Sequence, residues 1–153
     1  MTPHVCEILQ LLSATAIGLL IGALLAEGAL LVPHWRSLPR DEFHNLHANF
    51  GPRLFGFYAP LTTAAVLLSW GTALATARIG HSGWCFSLLS AALMGGLLGI
   101  YFLYFKRANG HFARGDLSAP ALELELARWA GWHWTRVWVG LIAFVASLLA
   151  LRY

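Results

Sequence analysis

Charge is what this chain has least of. Asp, Glu, Lys and Arg together make up 11% of its 153 residues, against roughly 25% in a soluble domain, and the mean hydropathy is +0.64. That deficit excludes an ordinary soluble domain and points to a polytopic membrane protein. A nucleic-acid partner is excluded as well. The net charge is +3, but the arginines stand singly at the ends of apolar runs and form no basic stripe. Cysteine is also scarce. Cys6 and Cys85 match no metal or redox spacing, and each reads as a small buried hydrophobe. The N-terminus has no basic region, and no small-residue cleavage site closes the first apolar run. A retained helix is therefore expected there, not a signal peptide. Internal repeats and low-complexity linkers are missing too.

What the chain does have is four long apolar runs, at about 6–32, 53–77, 84–105 and 126–151. About 20 helical residues cross a hydrocarbon core of ~30 Å, so each run is long enough. The expected fold is one all-α, four-helix transmembrane bundle spanning 1–153, with a short amphipathic interfacial helix before the second span. The first span is expected to stop at Pro33. In the interfacial helix, Ser37 is a candidate cap, Pro39 suits the first turn, and Asp41 and Glu42 suit the helix N-terminus. Phe43, Leu46, His47 and Phe50 form its stripe. Gly51-Pro52 should kink or break it, and Pro60 should kink the chain again. Residues 107–118 read as a polar loop, and Ser118-Ala119-Pro120 as the start of a last helix running from Ala119 to Arg152.

Loop charge orients the bundle. The first and third loops and their flanks hold Arg36, Arg40, Arg53, Lys106, Arg107, Arg114 and Arg128, while the opposite side holds Arg78 and Arg152. The positive-inside rule puts both long loops in the cytoplasm and both termini outside, as for a protein of a bacterial-type inner membrane. Trp35, Trp129, Trp132 and Trp134 fall at one interface and Trp70 and Trp84 near the other, as aromatic belts do. Ala14, Gly18, Gly22 and Ala26, and separately Ala91, Gly95 and Gly99, repeat every four residues. Such seams serve helix packing, within the bundle or in a homo-oligomer.

Several polar residues are costly where they stand. A carboxylate inside a span, as at Glu27, costs ~2.5–3.5 kcal/mol on insertion scales and should face the bundle with a partner. His34, seven residues on, shares its face. On the last helix Glu125, Arg128, Trp129, Trp132, His133, Arg136 and Gly140 form one stripe. His44 and His47, three apart, are adjacent on the interfacial helix. These groups, with Asn109 and His111, all map to one membrane side. The plainest reading is a Glu27–Arg136 or Glu27–histidine pair that locks the bundle.

The sharper reading is a pocket at the cytoplasmic mouth for a lipophilic small molecule arriving from the bilayer. Its floor would be Glu27 and Arg136, its walls His44, His47, Tyr58 and His133, and its roof the Asn109 loop. Glu27 or His133 would be the base, with Arg136 and Asn109 stabilising an oxyanion. His44, His47, His133 and Glu27 are the candidate ligands for a transition metal: iron, copper, manganese or zinc.

At these residues the chain resembles the anthrone oxygenase-like integral membrane proteins, a family of small four-helix proteins. Three pieces carry the likeness. A glycine-rich first span leaves through Val32-Pro33-His34-Trp35-Arg36. Asn109 follows the third span and precedes an acidic helix start. The fourth helix opens Arg128-Trp129-Ala130-Gly131-Trp132-His133-Trp134-Thr135-Arg136, similar to the family's tryptophan, polar residue and arginine spacing. Glu27, His44 and His47 lie outside that pattern. The resemblance implies a membrane-embedded oxygenase acting on an electron-rich aromatic, an anthrone or hydroquinone-like compound, with molecular oxygen. The alternative is a non-enzymatic membrane protein, either a metal or small-molecule transporter or an assembly partner. A transporter would need polar groups through the whole bilayer, and the outer halves of the first and fourth spans carry no ionisable group.

Overall fold

A computed structural model of the chain describes residues 3–153. Met1 and Thr2 lie outside them. Among the described residues four helices are long and apolar enough to cross a membrane: α1 (His4–Ser37), α2 (Arg40–Arg78), α3 (Trp84–Arg114) and α4 (Ala119–Arg152). They form the expected all-α four-helix bundle. Each helix packs against two others, α1 on α2 and α4, and α3 on α2 and α4, so the four close a ring.

The middle of the ring is dry. Ile17, Leu20, Ile21 and Leu24 of α1 meet Ala65 of α2, Met94 and Leu97 of α3, and Val137 and Ala143 of α4. Gly140 lets α1 and α4 approach here, because a methyl group in its place would overlap the Ile21 side chain. Leu67, Leu103, Leu124 and Trp138 are exposed on the outside, the face that a bilayer would cover.

Two helices carry a wider turn that the sequence did not announce. In α1 the turn Glu27–Leu31 is π-helical, and the Val32 N–H bonds back to the Glu27 carbonyl. The helix therefore does not stop at Pro33. It resumes as α-helix with that proline in its first turn, where a missing N–H costs least. One extra residue in a turn rotates everything beyond it by about 100°. His34, expected on the Glu27 face, is exposed instead, and Trp35 is buried. In α3 the turn Tyr101–Phe105 is also π-helical, and helix continues to Arg114. Asn109 thus lies in a helix, not in a loop. The connection to α4 is only the stretch 115–118, opened by Gly115 at φ 64°.

The interfacial helix is not separate either. α2 runs unbroken through Gly51-Pro52 and Pro60. An interior proline costs ~3 kcal/mol or more, and tertiary packing outweighs it here. Phe43 is 1% exposed and meets Phe112 edge to face at 5.2 Å. Arg40 donates to the Leu117 carbonyl at 2.7 Å and to that of Gly115 at 3.1 Å. Ser37 does not cap α2. Its hydroxyl donates back to the His34 carbonyl, and Pro39 holds the cap position with no side-chain bond. Asp41 and Glu42 occupy the first turn as expected, and α4 has the expected ends.

The connection before α4 is clamped by charge. Asp116 accepts from Arg114 at 2.8 Å and pairs with His111 at 3.0 Å. These two partners hold its carboxyl below the usual carboxylate range. A depressed acid stabilises the fold above its unfolded value and loses that contribution only as pH falls through the folded one. The clamp therefore persists at pH values where a free aspartate is already protonated.

Both small-residue seams begin inside the bundle and run out of it. Ala14 and Ala91 are buried, Gly18 lies against Phe144 and Gly95 against Trp70, while nothing approaches Gly22 or Gly99. Cys6 is buried, but Cys85, expected to be buried, is exposed.

Candidate functional site

The π-helical turn of α1 puts Glu27 inside the bundle, 5% exposed. From α4, His133 and Arg136 reach the same level, one helical turn apart on one face. Glu27 Oε2 stands 3.9 Å from His133 Nδ1, and the Tyr58 hydroxyl of α2 lies beside the carboxylate while donating to the Ala23 carbonyl at 3.1 Å. The π-helical turn of α3 supplies the fourth wall, where the Phe105 ring carries the Arg136 guanidinium 3.7 Å above its centroid. Costly groups from three helices, and an aromatic from the fourth, therefore converge as expected.

Hydrogen-bond accounting assigns roles within this centre. His133 Nε2 lies 2.9 Å from the Leu24 carbonyl, an acceptor only, so Nε2 carries the proton and donates. Nδ1 then accepts from Arg136 Nη2 at 3.1 Å. Both nitrogens are used, and Trp129 stacks on the ring at 5.0 Å. His133 orients Arg136 and is not placed to act as a base. Arg136 is the unfinished member, because its Nε is buried without a partner. Glu27 and Arg136 are neighbours, yet the closest basic side chain to the Glu27 carboxylate is the neutral His133, 3.9 Å away. The locking Glu27–Arg136 salt bridge is not made. A buried donor without a partner, close enough to a carboxylate to feel its charge, calls for an explanation.

The other expected members stand elsewhere. Asn109 Oδ1 accepts from Trp129 Nε1 at 2.9 Å, which holds the tryptophan that backs His133. Asn109 supports the wall and does not meet an oxyanion at Arg136. Its replacement by leucine is expected to cost about 1–2 kcal/mol, since it orphans a buried indole N–H. Thermal unfolding in detergent, with tryptophan emission as the signal, measures that loss. His47 stacks on Phe43 at 5.6 Å and meets Phe112 edge-on. His44 packs under Gly115 with both ring nitrogens buried and unpartnered. These two stay with the loop end of α3. Among the described residues no three of His, Cys, Asp and Glu gather closely enough to hold a metal ion, so the set His44, His47, His133 and Glu27 does not form. The described residues present do not fit a metal. The α4 stripe also divides. Trp129, His133 and Gly140 are buried, whereas Arg128 and Trp132 turn outward. Glu125 accepts from Tyr104 at 2.7 Å and from Arg128 at 3.1 Å.

Two features were not foreseen. The first is a groove of about 570 Å³ between α1 and α4, running from Gly28 and Val32 past Ala130 and Trp134 to Arg36. Gly28 is its inner end, and a methyl group there would stand 3.1 Å from His133 Nε2. The groove floor is thus one glycine away from the polar centre. The small residues Gly28, Ala127, Ala130 and Gly131 were its only trace in the sequence. The second is a layer of uncharged polar groups at the opposite end. Gln10, Ser69, Thr72, Ser87, Ser90 and Ser147 surround a cavity of about 10 Å³, enough for roughly one water. The spacing of Ser69, Thr72 and Thr76, and of Ser87 and Ser90, could have revealed that layer as one helical face.

Comparison with protein-family models, with curated proteins and with solved structures finds no match for the chain.

Proposed function

We propose that this chain is a membrane-embedded oxygenase-like enzyme acting on a lipophilic aromatic of the anthrone or hydroquinone kind. The observation that carries the reading is the buried, partnerless Nε of Arg136 in a centre that also holds the Glu27 carboxylate. Catalysis of this type needs a base within reach of an acidic hydrogen and a donor aimed at the oxygen where charge develops. Glu27 takes the proton. Arg136, held by His133 Nδ1 and Phe105, receives the oxyanion. Tyr58, tied to the Ala23 carbonyl, lines the site beside the carboxylate. The resulting carbanion reacts with oxygen, so that a ring CH₂ and O₂ become a ring C=O and water. The substrate lies in the α1–α4 groove with its reacting end at Gly28, beside this centre. The resemblance of the α4 opening to the anthrone oxygenase-like proteins agrees with this reaction class. The arginine-rich end of the bundle is assigned to the cytoplasm of a bacterial-type cell, with both termini outside.

Purified protein in detergent is expected to consume one oxygen per anthrone oxidised. Glu27→Gln should lower turnover by about 10²–10⁴-fold, measured at a temperature where the variant stays folded. No oxygen uptake with any anthrone or hydroquinone, or full activity in Glu27→Gln, overturns the proposal.

A non-enzymatic role as an assembly partner has one observation in its favour, the open seam at Gly22 and Ala26. Crosslinking of Gly22→Cys between protomers in the membrane tests it. A transporter is disfavoured, because the dry layer of Ile17, Leu20, Met94 and Val137 separates the two polar levels.

A further inference from the structure

We propose that the α1–α4 groove selects an acidic substrate: an elongated planar lipophile whose acidic group binds Arg36 at the loop end while its ring lies along Trp134 and its reacting end reaches Gly28. The identification of the occupant as substrate rests on the enzymatic reading above. The groove itself rests on geometry.

Its volume of about 570 Å³ lies within the range of small-molecule sites, ≈ 300–1,000 Å³. Gly28 and Arg36 are about 12 Å apart along the helix at 1.5 Å per residue, the length of three fused rings with a substituent. The floor is made flat by Ala127, Ala130 and Gly131, which have little or no side chain. Trp134 is 37% exposed and forms the aromatic wall. Its ring edge stands 3.3 Å from where a Gly28 methyl would be.

Arg36 supplies the charge. It is exposed and lines the groove. Among the described residues the ion pairs and side-chain hydrogen bonds of the other arginines engage Arg40, Arg114, Arg128 and Arg136, and Arg36 joins none of them. A guanidinium binds carboxylate or phenolate oxygens through paired N–H groups. One arginine, one flat floor and one aromatic wall match a planar acid better than a two-chain phospholipid, which offers no ring to the tryptophan.

The probes are anthracene carboxylate and its neutral analogue anthracene methanol, titrated without oxygen onto the detergent-solubilised protein and followed by energy transfer from tryptophan. The carboxylate is expected to bind about tenfold tighter, the worth of one charge-assisted contact. Arg36→Gln, an exposed change that leaves the fold intact, should remove that advantage and leave the neutral probe unaffected. Ala127→Phe, which fills the floor, should weaken both probes. Equal binding of acid and neutral probe, or an unchanged preference in Arg36→Gln, overturns the proposal. So does a co-purifying anionic phospholipid that the carboxylate fails to displace. The two proposals fail separately. Tight binding of the acid with no oxygen uptake sinks the enzymatic reading alone, and uptake whose KM for an acidic anthrone is unmoved by Arg36→Gln sinks the groove alone.

Discussion

Replacing Glu27 by leucine, with Arg136 left in place, is expected to lower the stability of the bundle by about 3 kcal/mol, the lower end for removing one member of a buried charged set. Arg136 would keep His133 Nδ1 and the Phe105 ring, but its only nearby carboxylate would be gone. The cost is that of an uncompensated cation, not of a lost contact. The double replacement Glu27→Leu with Arg136→Met should therefore recover most of the loss, since well-packed apolar groups replace buried charge at little cost. Unfolding by titration with a denaturing detergent, followed by far-ultraviolet circular dichroism, gives both values. A double variant no better than the single one would show that Glu27 does not serve Arg136.

The second large effect is expected at Gly83→Val. A Cβ at Gly83 would stand 2.6 Å from the Ala150 carbonyl oxygen and 3.0 Å from its Cα. The obstacle is backbone, so no rotamer change relieves it, and the last turns of α4 must move away from the α2–α3 turn. Overpacking of this kind costs ~1–3 kcal/mol and occasionally more. The contrast with Gly140 sharpens the test. There the obstacle is the tip of Ile21, so Ile21→Ala should rescue Gly140→Ala, while Ala150→Gly should not rescue Gly83→Val. Gly22→Ala, with nothing within 4 Å, should leave thermal unfolding nearly unchanged. Equal losses at all three glycines would contradict the packing described.

Much of the architecture was legible because membrane insertion imposes it locally. Run length alone located all four helices, and the ends of α4 followed from Pro120 and the limit of the chain's apolar register. Convergence of Glu27, Tyr58, His133 and Arg136 was legible for the same reason: a buried carboxylate must face inward. What failed was anything set by helical phase. The turns at Glu27–Leu31 and Tyr101–Phe105 have no sequence signature, and each shifts the face of every residue after it. That is why His34 and Trp35 exchanged roles, and why Asn109 became a support for Trp129. Gly51-Pro52 misled for a different reason. A breaker is a local cost, and Phe43, Phe112 and Arg40 outweigh it through contacts that only the folded chain makes. His44 and His47 are adjacent as their spacing required. Spacing on one helix, however, says nothing about what the other helices bring.

The dry middle of the ring has an electrical consequence. From Ser13 to Glu27 the chain rises about 21 Å, and between them α1 buries Ile17, Leu20, Ile21 and Leu24. A membrane voltage falls mainly across such an insulating slab, at about 2.3 kcal/mol per elementary charge for each 100 mV. Glu27 lies on the far side of it from Gln10 and the serines. If the enzymatic proposal holds, protons exchanged at Glu27 come from and return to one aqueous phase, and oxygen uptake by the protein in vesicles is expected not to change with an imposed membrane potential.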